Sequence, residues 1–171
     1  MEEEKSVIKR GMDYAVPMAF YTTAIALMYL YVDRIPWLAY PMLLMLLGGP
    51  VVLYKMQRRY NESCSTKPGM WALWRLGVVT IFFGTIFTLL VNYAMLEYVR
   101  TDYIYEQMQT CVDSYSKVPE MRGSEFLAAL ENALKRNELP SSFDFSLVMF
   151  SFTNLSGMLM GLFTSSIAAR K

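Results

Sequence analysis

Residues 70–97 read MWALWRLGVVTIFFGTIFTLLVNYAMLE, and no charge stands between Arg75 and Glu97. A helix needs roughly 20 apolar residues to cross about 30 Å of hydrocarbon, so this run is long enough to span a membrane. At ~1.5 Å per residue it reaches roughly 40 Å, which requires a tilt or a projecting end. A soluble protein spreads its apolar residues on helix or strand periods instead of massing them in one block.

Three further stretches read the same way. The first spans about 14–32, from Tyr14 to Val32, with Pro17 in its first turns, where a missing donor costs least. Asp33, Arg34 and Pro36 then make a polar turn. The second spans about 36–54 and contains Gly48, Gly49 and Pro50, which are expected to bend or break it on a side covered by protein. A polar loop, Lys55 to Gly69, leads into 70–97, and the last span is about 143–169, before Arg170 and Lys171. The expectation is an all-α, polytopic membrane protein: one domain over 1–171, a four-helix transmembrane bundle, and an exterior segment over about 98–142. A cleaved signal peptide fits the first span poorly, because the apolar run is long and Glu2, Glu3 and Glu4 flank it.

Lys and Arg in short flanking loops orient such a chain. Lys5, Lys9 and Arg10 precede the first span. Lys55, Arg58, Arg59 and Lys67 lie in the middle loop, with Arg75 just beyond and near enough to the surface to snorkel. Against these the first hairpin turn offers only Arg34, and the long segment after Arg100 also carries Asp102, Glu106, Asp113, Glu120, Glu125, Glu131 and Glu138. Both termini and the middle loop are therefore expected in the cytoplasm. Trp37, Tyr40, Tyr54, Trp71, Trp74, Tyr93 and Tyr98 near the span ends suit the membrane interface.

Composition narrows the chemistry. The apolar share is 54% and the mean hydropathy +0.26, and 16 basic residues nearly balance 15 acidic ones. That balance gives no basic surface for nucleic acid. Histidine is absent, which removes the commonest general base and metal ligand. Cys64 and Cys111 fall on opposite sides of the proposed membrane and are read as two free thiols. The 14 methionines are scattered, as apolar filling rather than soft metal ligands. Asn61-Glu62-Ser63 and Asn154-Leu155-Ser156 match a glycosylation sequon, but on the wrong side and inside a span. No catalytic, metal or cofactor signature emerges, and the chain is read as not an enzyme.

Glu97 to Tyr115 lacks Gly and Pro, so the third helix is expected to continue into water until Val118-Pro119 and Gly123 interrupt it. Ser124 then reads as an N-cap, with Glu125 suiting the helix dipole. Phe126, Leu127, Leu130, Ala133 and Leu134 recur at helical spacing, which predicts an amphipathic helix from about Glu125 to Asn137. Its apolar face has three candidate resting places: the lipid surface, a partner, or its own bundle. Sparse basic charge weighs against the lipid surface.

Thr153, Gly157, Gly161 and Ser165 lie four residues apart on one helical stripe, and Thr80, Gly84 and Thr88 form a shorter one. Small side chains let helices approach closely. The two stripes are expected to bring the third and fourth spans together, and homodimerisation is the rival use of the longer one. Asn92 and Asn154 are the clearest polar side chains within spans; they either bond a neighbouring helix or line a substrate path. Glu97 and Arg100, three residues apart, are expected to form a weak surface pair.

Three blocks resemble the DUF4199 family, small membrane proteins of Bacteroidota without an established activity. They are Lys9-Arg10-Gly11-Met12, then Met70-Trp71-Ala72-Leu73-Trp74-Arg75-Leu76-Gly77 with Glu97-Tyr98-Val99-Arg100-Thr101-Asp102-Tyr103, and the Gly157/Gly161 helix. The chain has less proline after the third helix than the family pattern. Members are encoded near membrane glycosyltransferases of the dolichol-phosphate-sugar type, which implies an accessory role in envelope glycan or lipid-linked sugar processing and supplies no functional residues. The expected function is a non-enzymatic inner-membrane scaffold without a cofactor, partnered by the bilayer and by another membrane protein or a second copy. A small dimeric transporter or lipid flippase, with Asn92 and Asn154 lining a polar cavity, is the alternative.

Overall fold

The computed structural model describes residues 2–64, 67–119 and 124–170, and the side chains from Val7 onward. Glu120, Gly123 and Lys171, and the side chains of Glu2, Glu3, Glu4 and Lys5, lie outside the described residues. The described residues form α1 (Glu2–Tyr31), α2 (Ala39–Ser63), α3 (Met70–Tyr98), α4 (Tyr103–Ser116), α5 (Glu125–Arg136) and α6 (Ser142–Ala168), with no strand among them. Four segments are long and apolar enough to cross a membrane: Val7–Tyr31, Pro36–Ser63, Met70–Tyr98 and Ser142–Ala168. The protein is a multi-pass, all-α membrane protein. Its many exposed apolar side chains, among them Phe20, Leu44, Leu47, Leu159 and Phe163, suit contact with lipid.

α2 departs from the sequence reading. It is not broken at Gly48-Gly49-Pro50, and it runs two turns past Tyr54 to Ser63, after a short 3-10 turn at Pro36–Leu38. Pro50 removes the donor that would reach the Leu46 carbonyl, which loosens this turn without ending it. The Tyr21 hydroxyl of α1 donates to the neighbouring Met45 carbonyl and braces the same turn. Gly48 faces α1, where a Cβ would stand 3.0 Å from the Tyr21 hydroxyl, whereas a Cβ on Gly49 would meet nothing within 4 Å.

The chain divides into two compact units, residues 1–92 with 148–171, and residues 93–147. In the first, Val7, Tyr60, Leu73, Leu76 and Ala168 share one buried cluster. The start of α1, the end of α2, the start of α3 and the end of α6 therefore meet at one end of the bundle. A second buried layer, deeper along the helices, joins Met18, Leu53 and Ile81.

In the second unit α4 and α5 pack as a pair, with Tyr115 edge-on to Phe126 at 5.8 Å. α3 does not continue to Tyr115 as the sequence suggested. The amides of Val99 and Arg100 both turn back to the Met95 carbonyl, at 3.0 and 2.7 Å, and close the helix. Arg100 then folds over the Tyr103 ring, 5.1 Å from its centroid, and bonds Glu106 at 2.9 Å. The expected Glu97–Arg100 pair is replaced by this contact across the turn. A buried guanidinium is better satisfied by a carboxylate and a ring face on the next helix than by an exposed neighbour.

α5 begins as predicted. The Ser124 hydroxyl accepts the Leu127 amide at 3.2 Å, and Asn137 ends the helix in the left-handed conformation at φ 54°.

Candidate functional site

The first unit is laced by hydrogen bonds and glycine contacts between helices, and these locate every polar candidate. The trio Thr80, Gly84 and Thr88 faces α1. Thr80 donates to the Gly11 carbonyl at 3.3 Å, and Thr88 shares bonds of 2.7 and 3.0 Å with Thr22 and Thr23. A Cβ on Gly84 would stand 3.2 Å from the Ala19 nitrogen and 3.3 Å from the Ala15 oxygen, so the two backbones nearly touch. The partner stripe is Gly11, Ala15 and Ala19, four residues apart, which sequence reasoning passed over.

α3 also meets α6, through a different face. A Cβ on Gly157 would lie 2.7 Å from Ile81 Cδ1, and one on Gly77 would lie 3.8 Å from the Gly161 Cα. The Trp74 indole donates to the Met158 carbonyl at 3.1 Å. Ser165 is fully buried and bonds its own Leu162 carbonyl, while Thr153 is half-buried and bonds Met149. Gly157 and Gly161 are thus occupied within the chain, against Ile81, Trp74 and Leu53.

Asn154 is buried and bridges α6 to α3, donating to the Thr85 hydroxyl and to the Phe150 carbonyl, both at 2.9 Å. Asn92 is also buried, seven residues beyond Thr85, about 10 Å along the axis. The structure therefore does not bring the two asparagines together. Sequence reasoning missed Gln57 and Asn61, because it ended the second span at Tyr54. Both are buried on the extended end of α2. Gln57 donates to the carbonyls of Leu73 at 3.2 Å and Gly161 at 3.4 Å, and Asn61 to that of Ala168 at 3.0 Å. Their spacing of four residues within a helical pattern was the available signal.

In the second unit an open groove of about 280 Å³ runs between α4 and α5, lined by Tyr105, Gln109, Val112, Glu131, Leu134 and Lys135. Leu127 is buried and Phe126 half-exposed, so the apolar face of α5 rests on α4, a helix the sequence reading did not separate. Among the described residues no set of three or more Cys, Asp or Glu gathers as a metal site, and Cys64 and Cys111 are free thiols.

A family model described as "Protein of unknown function (DUF4199)" matches residues 13–170. No curated protein matches the chain, and no solved structure does. The match covers nearly the whole chain, from the first turns of the first span to the end of α6, and the chain belongs to the DUF4199 family.

Proposed function

We propose that the protein is a non-enzymatic accessory subunit of the bacterial inner membrane that scaffolds or stabilises a membrane-protein partner in envelope glycan or lipid-linked sugar processing. The observation that carries this reading is the unit formed by residues 93–147. Its helices α4 and α5 are not candidate spans, they pack on each other, and they leave Tyr105, Tyr115, Val118 and Phe126 exposed. Aromatic side chains on an extramembrane surface suit a partner protein.

Lys9, Arg10, Lys55, Arg58, Arg59 and Arg170 belong to the helix ends that meet at the Val7–Ala168 cluster. Basic residues gather on the cytoplasmic side of membrane proteins, so this end is assigned to the cytoplasm and the α4–α5 pair to the outside.

The test is cross-linking in intact cells followed by purification in mild detergents. A defined partner is expected, and Tyr105→Ser with Phe126→Ser should release it while helicity stays unchanged. Recovery of a lone monomer from cross-linked cells and from every detergent would end the scaffold reading.

A further inference from the structure

Contacts between α1 and α2 step in opposite directions along the two helices. The Tyr21 hydroxyl reaches the Met45 carbonyl, Met18 shares a buried layer with Leu53, and Tyr14 and Tyr54 both pack against the Val7–Tyr60 cluster. The two helices are therefore antiparallel, and the same register sets Arg10 level with Arg59. Helical spacing puts both on the groove between the helices. Arg10 stands one turn before Tyr14 and three turns before Tyr21. Arg59 stands two turns after Val52, which packs with Tyr21 against the Met18–Leu53 layer.

Arg10 and Arg59 are exposed, and neither forms an ion pair among the described residues. Arg58, beside them, is already held by Glu62 at 2.7 Å. In the same register Lys9 and Lys55 add two more exposed cations, and Asp13, level with Lys55, is the one other carboxylate there among the described residues. Packed helix axes stand about 8–10 Å apart, so guanidiniums on the two rims of the groove can reach one anion between them. Like charges so placed repel until an anion joins them, and a guanidinium grips phosphate through two parallel N–H donors. Farther into the span, Val16 and Phe20 of α1 and Leu47 and Val51 of α2 are exposed and apolar. A headgroup held by the arginines therefore has a hydrocarbon surface for its own acyl chains, a gain that a free phosphate ion lacks.

We infer that the end of the α1–α2 groove beside the Val7–Ala168 cluster binds the phosphate of an anionic phospholipid, with Arg10 and Arg59 as its two clamps and Lys9 and Lys55 as supporting charges. Basic pockets between membrane helices take anionic headgroups in this way. Topology asks only for an excess of positive charge on one side of the membrane. Two arginines matched across an antiparallel pair go further and make a place for one headgroup. The site is independent of the accessory role, and either can fail alone.

The test uses the full chain purified in a mild detergent, with phosphatidylglycerol or phosphatidylcholine added and bound lipid counted by native mass spectrometry. Phosphatidylglycerol is expected to bind at least about tenfold more tightly than phosphatidylcholine. Arg10→Gln with Arg59→Gln should abolish that preference. If the double variant fails to fold, Arg59→Gln alone should lower it at least about threefold. Lys135→Gln with Arg136→Gln removes the same charge from α5 and should leave the preference unchanged. Four results overturn the inference. The first is no preference in the unaltered chain, and the second is a full preference in helical, monodisperse Arg10→Gln/Arg59→Gln protein. The third is an equal loss in the α5 variant, which is attraction by net charge alone. The fourth is displacement of the lipid by millimolar inorganic phosphate, which is a site for the free ion.

Discussion

A methyl group added to Gly157 would stand 2.7 Å from Cδ1 and 2.8 Å from Cγ2 of Ile81, closer than carbon atoms pack. α3 and α6 are held at this separation by the absence of one side chain. Gly157→Ala should therefore destabilise the bundle by about 1–3 kcal/mol, the usual cost of overpacking. Gly49→Ala meets open space and should be neutral or stabilise by about 0.5–1 kcal/mol through helix propensity. Thermal unfolding in detergent compares the two, and equal effects would contradict the packing described.

The Asn154–Thr85 bond should be measurable as coupling. Asn154→Leu, Thr85→Val and the double variant form a cycle with an expected interaction of about 0.6 kcal/mol and no more than about 1.7. Unfolding in mixed micelles reads it. Strict additivity would mean that the bond adds nothing to stability.

Arg100 is 2% exposed, so its guanidinium needs partners within the protein. Glu106→Gln removes the carboxylate that meets that guanidinium at 2.9 Å and should destabilise the turn between α3 and α4. Because Glu106 is itself partly exposed, about 1–2 kcal/mol is expected rather than the full cost of splitting a buried pair. Glu97→Gln should have little effect. Hydrogen exchange across α4 separates the two, and a larger response to Glu97→Gln would restore the pairing that sequence spacing suggested.

α5 depends on its ends. Ser124→Ala should cost about 1 kcal/mol through the lost cap, seen as faster exchange at Leu127. Asn137→Gly should slow exchange across the last turn, because glycine adopts the left-handed conformation without strain. Unchanged exchange in both variants would show that packing on α4 alone sets the helix ends.

The orientation is open to a direct measurement. In intact cells an impermeant maleimide should label the exposed Cys111, while Cys64 should react only after the membrane is opened. The reverse pattern would invert the topology.

The four spans were legible because hydrocarbon demands long uncharged runs, a signal local to each segment. Met70–Tyr98 and Ser142–Ala168 each end within a residue of the sequence reading. That α3 itself stops at the outer end of its span, instead of running on into water, was not legible, because no Gly or Pro marks the stop. Its turn is made by amides bonding back to Met95 and by the Arg100 contacts, which depend on α4 being in place. The small-residue stripes announced close approach without naming the partner. Thr80, Gly84 and Thr88 fit the unnoticed Gly11–Ala15–Ala19 stripe of α1, while α6 took Trp74, Gly77 and Ile81. Gln57 and Asn61 were hidden because polar residues past an apolar run look like loop until the helix is seen to continue.

Gln57 and Asn61 find their α6 carbonyls across sequence separations of 104 and 107 residues. Synthesis delivers α2 long before α6, so the Asn61 amide must wait for the last helix before it can bond Ala168. Until then the newly inserted α2 carries a polar end without its final lock. A chain stopped short of α6 would keep three hydrophobic segments and lose that closing contact, making it a natural substrate for membrane proteolysis.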